Sequence, residues 1–296
     1  MNRYERMFHG LAERRGGALV PFVMLGDPDP NTSLAIVRGI VQAGADALEL
    51  GIPFSDPIAD GPTIQRASVR ALSSGTTPAA CFDLIRQIRE AQPEVPIGLL
   101  VYANLVARDL AGFYRRAAEA GVDSVLVADL PAVESEPFHS VARHAGIAPV
   151  LLLPHDADAG TISRIAVLGE GYTYVLGRAG VTGHVAPSRP PDPALFDQLR
   201  KAGGPPALVG FGVGSAPQVR DILSAGAAGA IVGSALVALV EQHRDNPDMM
   251  LRSMVNMVRE LKAATRGDHE RPQPSESSAA GLSYPSACPS SFSVPS

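Results

Sequence analysis

Three copies of one short pattern constrain the fold most. "AGADALEL" (43–50), "AGVDSVLV" (120–127) and "AGAAGAIV" (225–232) each read as a helix end, a glycine stop and a buried strand. Glycine at that stop accepts positive φ, and the strand begins within a few residues. One unit used three times argues for a repeating architecture rather than two unrelated domains. The alternation extends along the chain. Apolar runs of strand length stand at 18–25, 47–50, 97–102, 124–129, 149–154, 172–177, 207–212 and 229–234. Helix-period stretches separate them, at about 29–43, 63–74, 78–91, 107–120, 133–145, 157–168, 192–202 and 216–225, with a last one at 235–265. Thr77 is placed to cap a helix that starts at Pro78, and Gly75 to stop the one before it.

Eight βα units within residues 1–265 point to an α/β fold, a single (β/α)8 TIM barrel, which takes typically ~250 residues. An open doubly wound sheet is the rival, because periodicity does not show closure. The strand count and the glycine-rich loops described below favour the barrel. The N-terminal "MNRYERMFHGLAERRG" adds an extra amphipathic helix, with Tyr4, Met7, Phe8 and Leu11 on one face. Residues 266–296 read as a disordered tail. From 271 onward it holds 5 Pro and 9 Ser among 26 residues, too little apolar surface to offset the entropy of ordering.

Composition narrows the function. A hydrophobic content of 46% is enough for a substantial core over this length. The net charge of −5, without long blocks of one sign, argues against a nucleic-acid partner. No apolar run is long enough to span a bilayer, and the N-terminus lacks a signal-peptide core. The two cysteines, Cys81 and Cys288, form neither a disulfide framework nor a metal-ligand spacing, so a cytoplasmic protein is expected.

In a barrel, catalytic groups gather at the C-terminal ends of strands and on the loops that follow. That rule selects "LELGIPFSDPIADGPTIQ" (48–65). Strand alternation puts Ala45, Ala47 and Glu49 on one face and Asp46, Leu48 and Leu50 on the other. Glu49 then faces the barrel interior near its mouth, where desolvation raises a carboxyl pKa. The alternative is an acid held for structure by a neighbouring barrel residue. Asp60 precedes Gly61-Pro62, so capping or turn formation competes with catalysis there. Asp56, in "SDP", reads as a turn former.

Two glycine-rich stretches follow the last strands. "GFGVGSAPQV" (210–219) and "GAIVGSALV" (229–237) each run into a helix. Glycine lets backbone N–H groups approach a ligand, and a helix N-terminus favours an anion. The loops after strands seven and eight are the recurrent phosphate site of such barrels. Gly212, Gly233 and Ser234 are the candidate donors, against tight helix–strand packing as the plain reading. After the sixth strand, "GRAGVTGHVAPSRPPDP" (177–193) suits a lid over substrate or a mobile surface loop. Arg178, Thr182 and Gly183 are its candidate ligand contacts. Phe22, Leu100 and Tyr174 either line a pocket or fill the core. The seven histidines show no metal or triad spacing.

Together the blocks "ALELGIPFSDPIADGPTIQ", "GLLVYANLV", "GVDSVLVADLP", "GYTYVLGRAGVTG", "GFGVGS" and "GAAGAIVGSA" resemble the tryptophan synthase alpha chain family, in order and spacing, over about residues 15–265. The resemblance implies a barrel that cleaves indole-3-glycerol phosphate to indole and glyceraldehyde 3-phosphate, a lyase step without a cofactor of its own. It makes Glu49 the acid–base residue and Asp60 the acceptor of the indole N–H. It places the phosphate on Gly183, Gly212, Gly233 and Ser234. Phe22, Leu100 and Tyr174 map around the indole pocket or Asp60, and Arg178 and Thr182 onto the lid. It also implies a partner, a pyridoxal-phosphate beta chain in an alpha2-beta2 tetramer, met by Asp56 and Asn104. Three features depart from the family pattern. Relatives often carry serine at the positions of Gly177 and Ala179, Met24 replaces a commoner small residue, and the Ser/Pro tail has no counterpart. Two other functions compete: a different sugar-phosphate isomerase or epimerase, and a non-catalytic subunit that regulates a beta partner.

Overall fold

A capping box opens the chain: the Asn2 side chain accepts from Glu5 N–H and the Glu5 side chain accepts from Asn2 N–H, starting α1 (Arg3–Glu13). The computed structural model describes residues 1–177 and 191–266. Strands and helices then alternate as β1 (Ala18–Met24), α2 (Pro30–Gln42), β2 (Leu48–Gly51), α3 (Pro62–Ser73), α4 (Pro78–Ala91), β3 (Ile97–Val101), α5 (Ala103–Ala107), α6 (Leu110–Ala120), β4 (Ser124–Val127) and α7 (Glu136–His144). The second half continues as β5 (Ala148–Leu153), α8 (Ala159–Leu168), β6 (Thr173–Leu176), α9 (Pro193–Lys201), β7 (Ala207–Gly210), α10 (Ala216–Ser224), β8 (Gly229–Val232), α11 (Ser234–Gln242) and α12 (Pro247–Ala264). All neighbouring strands are parallel, and β1 pairs with both β2 and β8, so the sheet closes into a barrel. The open-sheet rival is excluded by that pairing.

Some boundaries differ from the apolar runs, for local reasons. The helix expected over 107–120 starts only at Leu110, because Asp109 caps α6 through Gly112 N–H, and a separate short helix, α5, precedes it. The last helical stretch also splits, where Asn246 caps α12 and Pro247 opens it. The run 124–129 stops as strand at Val127, and Asp129 turns to accept Ala103 N–H at 2.7 Å.

The three-fold sequence pattern has a physical basis. Gly44, Gly121 and Gly226 all adopt positive φ, at 108°, 89° and 107°. In the first copy Asp46 accepts Leu19 N–H at 2.8 Å, while its own N–H donates to Leu19 C=O. Asp123 does the same with Ile97 in the second copy, at 2.8 Å. Each aspartate therefore ties the start of its strand to the preceding one. Lys262 of α12 pairs with Asp46, and Arg3 and Arg89 pair with Asp123. The third copy has Ala228 there and keeps only the backbone bond to Ala207.

Alternation divides the core into two layers. Leu48 and Leu50 pack outward with Ile36, Ile40 and Ile85 of the helices. Ala47 packs inward with Val20, Leu126, Val150, Tyr172, Tyr174, Leu208 and Ile231. Helix α1 closes the N-terminal end of the barrel with Tyr4 and Leu11. The Tyr4 hydroxyl hydrogen bonds Ser124 Oγ at 2.8 Å, and its ring lies 5.5 Å from Tyr172. No helix among the described residues is long and apolar enough to cross a membrane.

Candidate active site

At the other end of the barrel a cleft opens between the strand ends, with about 420 Å³ of space that includes open solvent at its mouth. Its wall contains Glu49 and Asp60, Phe22, Leu100 and Tyr174, and Gly212, Gly233 and Ser234. Eight residues singled out in the sequence thus meet at one place. Arg178, Thr182 and Gly183 lie outside the described residues. Asp56 and Asn104 are exposed, on the loop after β2 and on α5 after β3.

Glu49 sits in the middle of β2, flanked in register by Phe22 of β1 and Gly98 of β3. It is 1% exposed, and its Oε1 accepts the Tyr172 hydroxyl at 2.9 Å. Burial pushes its pKa up to about 7; the Tyr172 hydroxyl opposes that, and negative charge on Asp60 adds to it. A carboxyl in this state holds or releases a proton near neutral pH, as general acid–base work requires. Its inward orientation is the one that alternation predicts.

Asp60 does not cap α3. Gly61 occupies the cap position, without a side-chain cap bond, and the Asp60 carboxyl instead feels the Tyr102 hydroxyl, which favours its charged form. The same hydroxyl accepts Ala59 N–H at 3.0 Å. Burial raises Asp60 to about 6, with the Tyr102 hydroxyl pulling the other way. The acid nearest Glu49 in sequence, Asp46, belongs to the strand clamp at the opposite end of β2.

The far wall is built for an anion. Phe211 has φ of +66° and Gly212 +85°, so β7 turns sharply into the loop before α10. A left-handed phenylalanine costs ~1–2 kcal/mol, and such strain concentrates at functional sites. Gly233 takes the cap position of α11, whose first residue is Ser234. The N-terminus of α11 therefore points free N–H groups and positive partial charge at the cavity. Tyr174 lies across Gly210, where an added Cβ would fall 2.1 Å from the phenol oxygen, and its ring meets Phe211 edge-on at 5.7 Å. Met24 packs behind the wall with Phe22, Ile64 and Ala67. Among the described residues, no group of three His, Cys, Asp or Glu side chains could hold a metal ion.

Five contributors were not singled out from the sequence: Tyr172, Tyr102, Ile64, Phe211 and Ile231. Period-two alternation contains a signal for two of them. Tyr172 is two residues before Tyr174, and Tyr102 two after Leu100, so each shares its neighbour's inward face.

The arrangement has known relatives. A family model described as tryptophan synthase alpha chain matches residues 8–266. The chain is 53% identical over 267 residues to the tryptophan synthase alpha chain of Vibrio cholerae serotype O1, covering 90% of this chain and all of that one. A relative from Sodalis glossinidius, with the same description, is 53% identical over 268 residues, at 90% and 100% coverage. Among solved structures, tryptophan synthase subunit alpha from Legionella pneumophila superposes with a TM-score of 0.79 at 29% identity, covering 90% of this chain and 98% of that one. A chain of the Pyrococcus furiosus tryptophan synthase complex gives 0.74 at 31% identity, with 84% and 98% coverage. The chain belongs to the tryptophan synthase alpha chain family.

Proposed function

We propose that this cavity cleaves indole-3-glycerol phosphate with Glu49 and Asp60 as its working carboxylates. The alpha subunit of tryptophan synthase cleaves that substrate in L-tryptophan biosynthesis and passes indole to the beta subunit, and family membership gives this chain that lyase role. The observation that supports the residue assignment is the pairing of a buried carboxyl near neutral pKa with an anion-binding helix end across one apolar cavity. Glu49 protonates the ring carbon that bears the glycerol chain and takes the proton of the neighbouring glycerol hydroxyl as the C–C bond breaks. Asp60 accepts the indole N–H and stabilises positive charge developing on the ring, the kind of preorganised electrostatic term that is large in catalysis. Phe22, Leu100 and Tyr174 enclose the indole. Gly212, Gly233 and Ser234, with Gly183, hold the phosphate, and Arg178 and Thr182 are further substrate contacts. Nothing in this retro-aldol chemistry calls for a cofactor in this chain; pyridoxal phosphate belongs with the beta partner.

Residues 1–265 act as one catalytic domain of a cytoplasmic alpha2-beta2 assembly. The solved relatives include tryptophan synthase complexes, which supports a beta-chain partner. Asp56 and Asn104 mark the docking face. Exposed Ile58 and Val133, on loops after β2 and β4, supply apolar surface at the same end of the barrel.

The test is indole release from indole-3-glycerol phosphate by purified protein, with and without a beta chain. Release alone is expected to be slow and faster with the partner. Glu49→Gln is expected to abolish turnover while substrate binding survives, and Asp60→Asn to lower kcat at least ~100-fold, the scale of losing one electrostatic stabiliser. Full activity in Glu49→Gln refutes the acid–base role.

A further inference from the structure

We propose that Met24 determines specificity at this pocket: it backs the Phe22 ring and so sets how large an indole ring system the site accepts. This rests on the assignment of Phe22 to the enclosure of the indole.

Phe22 and Met24 stand two positions apart on β1, so strand parity puts both side chains on the same face. Both are buried, but only Phe22 lines the cleft. Met24 packs behind it in a small apolar cluster of its own, with Ile64, Ala67 and Ala71 of α3 and Val237 of α11. Backbone seats Phe22 on two sides. A Cβ added at Gly233 would meet the Phe22 Cβ at 3.5 Å, and one added at Gly51 would fall 2.7 Å from the Phe22 Cζ. The same Cβ at Gly51 would lie 3.2 Å from the Met24 Cε. The edge of the Phe22 ring and the Met24 methyl group therefore share the room that a glycine in β2 leaves. Register pairs Met24 with Gly51 and Phe22 with Glu49, so Met24 sits nearer the mouth than the catalytic carboxyl. The Ser68 hydroxyl donates to Met24 Sδ at 3.8 Å, which ties the thioether to α3.

Among the groups around Phe22, Met24 is the one able to give. Gly51 and Gly233 offer backbone, and Ile64 and Val237 are β-branched and stiff at χ1. Methionine has three rotatable bonds and a polarizable thioether, so it repacks at low cost. A substituent on the indole that presses the Phe22 ring back has to displace the Met24 methyl group. The length of that side chain limits how far the ring recedes and thereby fixes the width of the slot. Shortening it leaves a void behind Phe22 into which the ring can withdraw. The size of such discrimination is bounded, since one methyl group in an apolar pocket changes kcat/KM by ~10- to 200-fold. Neither Glu49 nor Asp60 belongs to the cluster, so Met24 acts on the fit of the ring and not on proton transfer.

The experiment compares the parent chain with Met24→Ala, Met24→Val and Met24→Leu. The substrates are indole-3-glycerol phosphate and the series of analogues with one methyl group on the benzo ring. Release of glyceraldehyde 3-phosphate gives one assay for all of them. The parent is expected to favour the unmethylated substrate over the most hindered analogue by about tenfold or more in kcat/KM. In Met24→Ala that ratio is expected to fall about tenfold, with KM for the unmethylated substrate raised and kcat little changed. Met24→Val is expected to move the ratio the same way by less, and Met24→Leu, which nearly conserves volume, to keep it close to the parent. A merely structural methionine would lower thermal stability in the Ala and Val variants and leave the ratio unchanged, and that result overturns the proposal. An unchanged ratio in Met24→Val overturns it even if Met24→Ala fails to fold. A parent that cleaves every analogue equally well overturns it too, as does an equal shift in the Leu and Ala variants. No product from the unmethylated substrate in the parent refutes the lyase reading and this inference with it. Cleavage by the parent with the ratio unmoved in the variants refutes the role of Met24 alone.

Discussion

Glu49, in β2, and Asp60, in the loop that follows it, are two acids whose pKa values burial raises to different points. Both are raised by burial, Glu49 to about 7 and Asp60 to about 6. Between those values Glu49 keeps its proton while Asp60 is charged, which is the state needed to protonate a ring carbon and stabilise a developing cation. A bell-shaped kcat/KM profile is therefore expected. Activity falls on the acid side as Asp60 takes a proton and on the alkaline side as Glu49 loses one. Because the two carboxylates interact, the two limbs belong to the pair. Measuring kcat/KM against pH checks this, and a profile flat from pH 5 to 9, about the range over which both would titrate, contradicts it. Glu49 was legible in the sequence because strand parity acts locally. Asp60 was not, since Asp-Gly-Pro equally describes a helix cap. Only the distant Tyr102, brought in by β3, shows that its side chain turns away from the helix end.

At the scale of single elements, the N-terminus of α11 is the clearest candidate anion site. Gly233 has a negative φ of −115°, and an added Cβ would make ordinary contact with Phe22 at 3.5 Å. Substitution there meets no steric clash, so its effect reports on the ligand. Gly233→Asp places a carboxylate beside the phosphate position; like charges 4 Å apart repel by about 4 kcal/mol near a protein surface. KM is expected to rise well over tenfold with a smaller change in kcat, whereas Gly233→Ala stays close to the parent. Equal KM values for the Asp and Ala variants would remove the phosphate from this helix end. The elements themselves were mostly legible, since apolar runs, caps and glycine stops are local signals. The late start within 107–120 and the break within 235–265 turn on single capping side chains, Asp109 and Asn246, which outweigh helical periodicity.

For the whole molecule, the site has a stability cost that depends on pH. The folded pKa of Glu49 lies above its ordinary 4.5, so the folded state holds a proton that the unfolded chain releases. Its contribution favours folding below pH 4.5 and is lost progressively as pH rises to about 7. Glu49→Gln removes that penalty and retains an acceptor for Tyr172. It is expected to be more stable than the parent by about 3 kcal/mol above pH 7, with the gain vanishing toward pH 4.5. Denaturant unfolding of both proteins at the two pH values checks the sign, and a pH-independent difference contradicts it. The sequence alone determined the repeating βα plan, the inward face of β2 and the glycine-rich ends of β7 and β8, because hydrophobic period, caps and turn residues act over a few neighbours. Only the tertiary structure decided that the sheet closes, that Asp46 clamps one end of β2 while Glu49 serves the other, and that Tyr172 and Tyr102 act on the two carboxylates. Those outcomes depend on strand pairing between residues far apart in the chain, which no local pattern encodes.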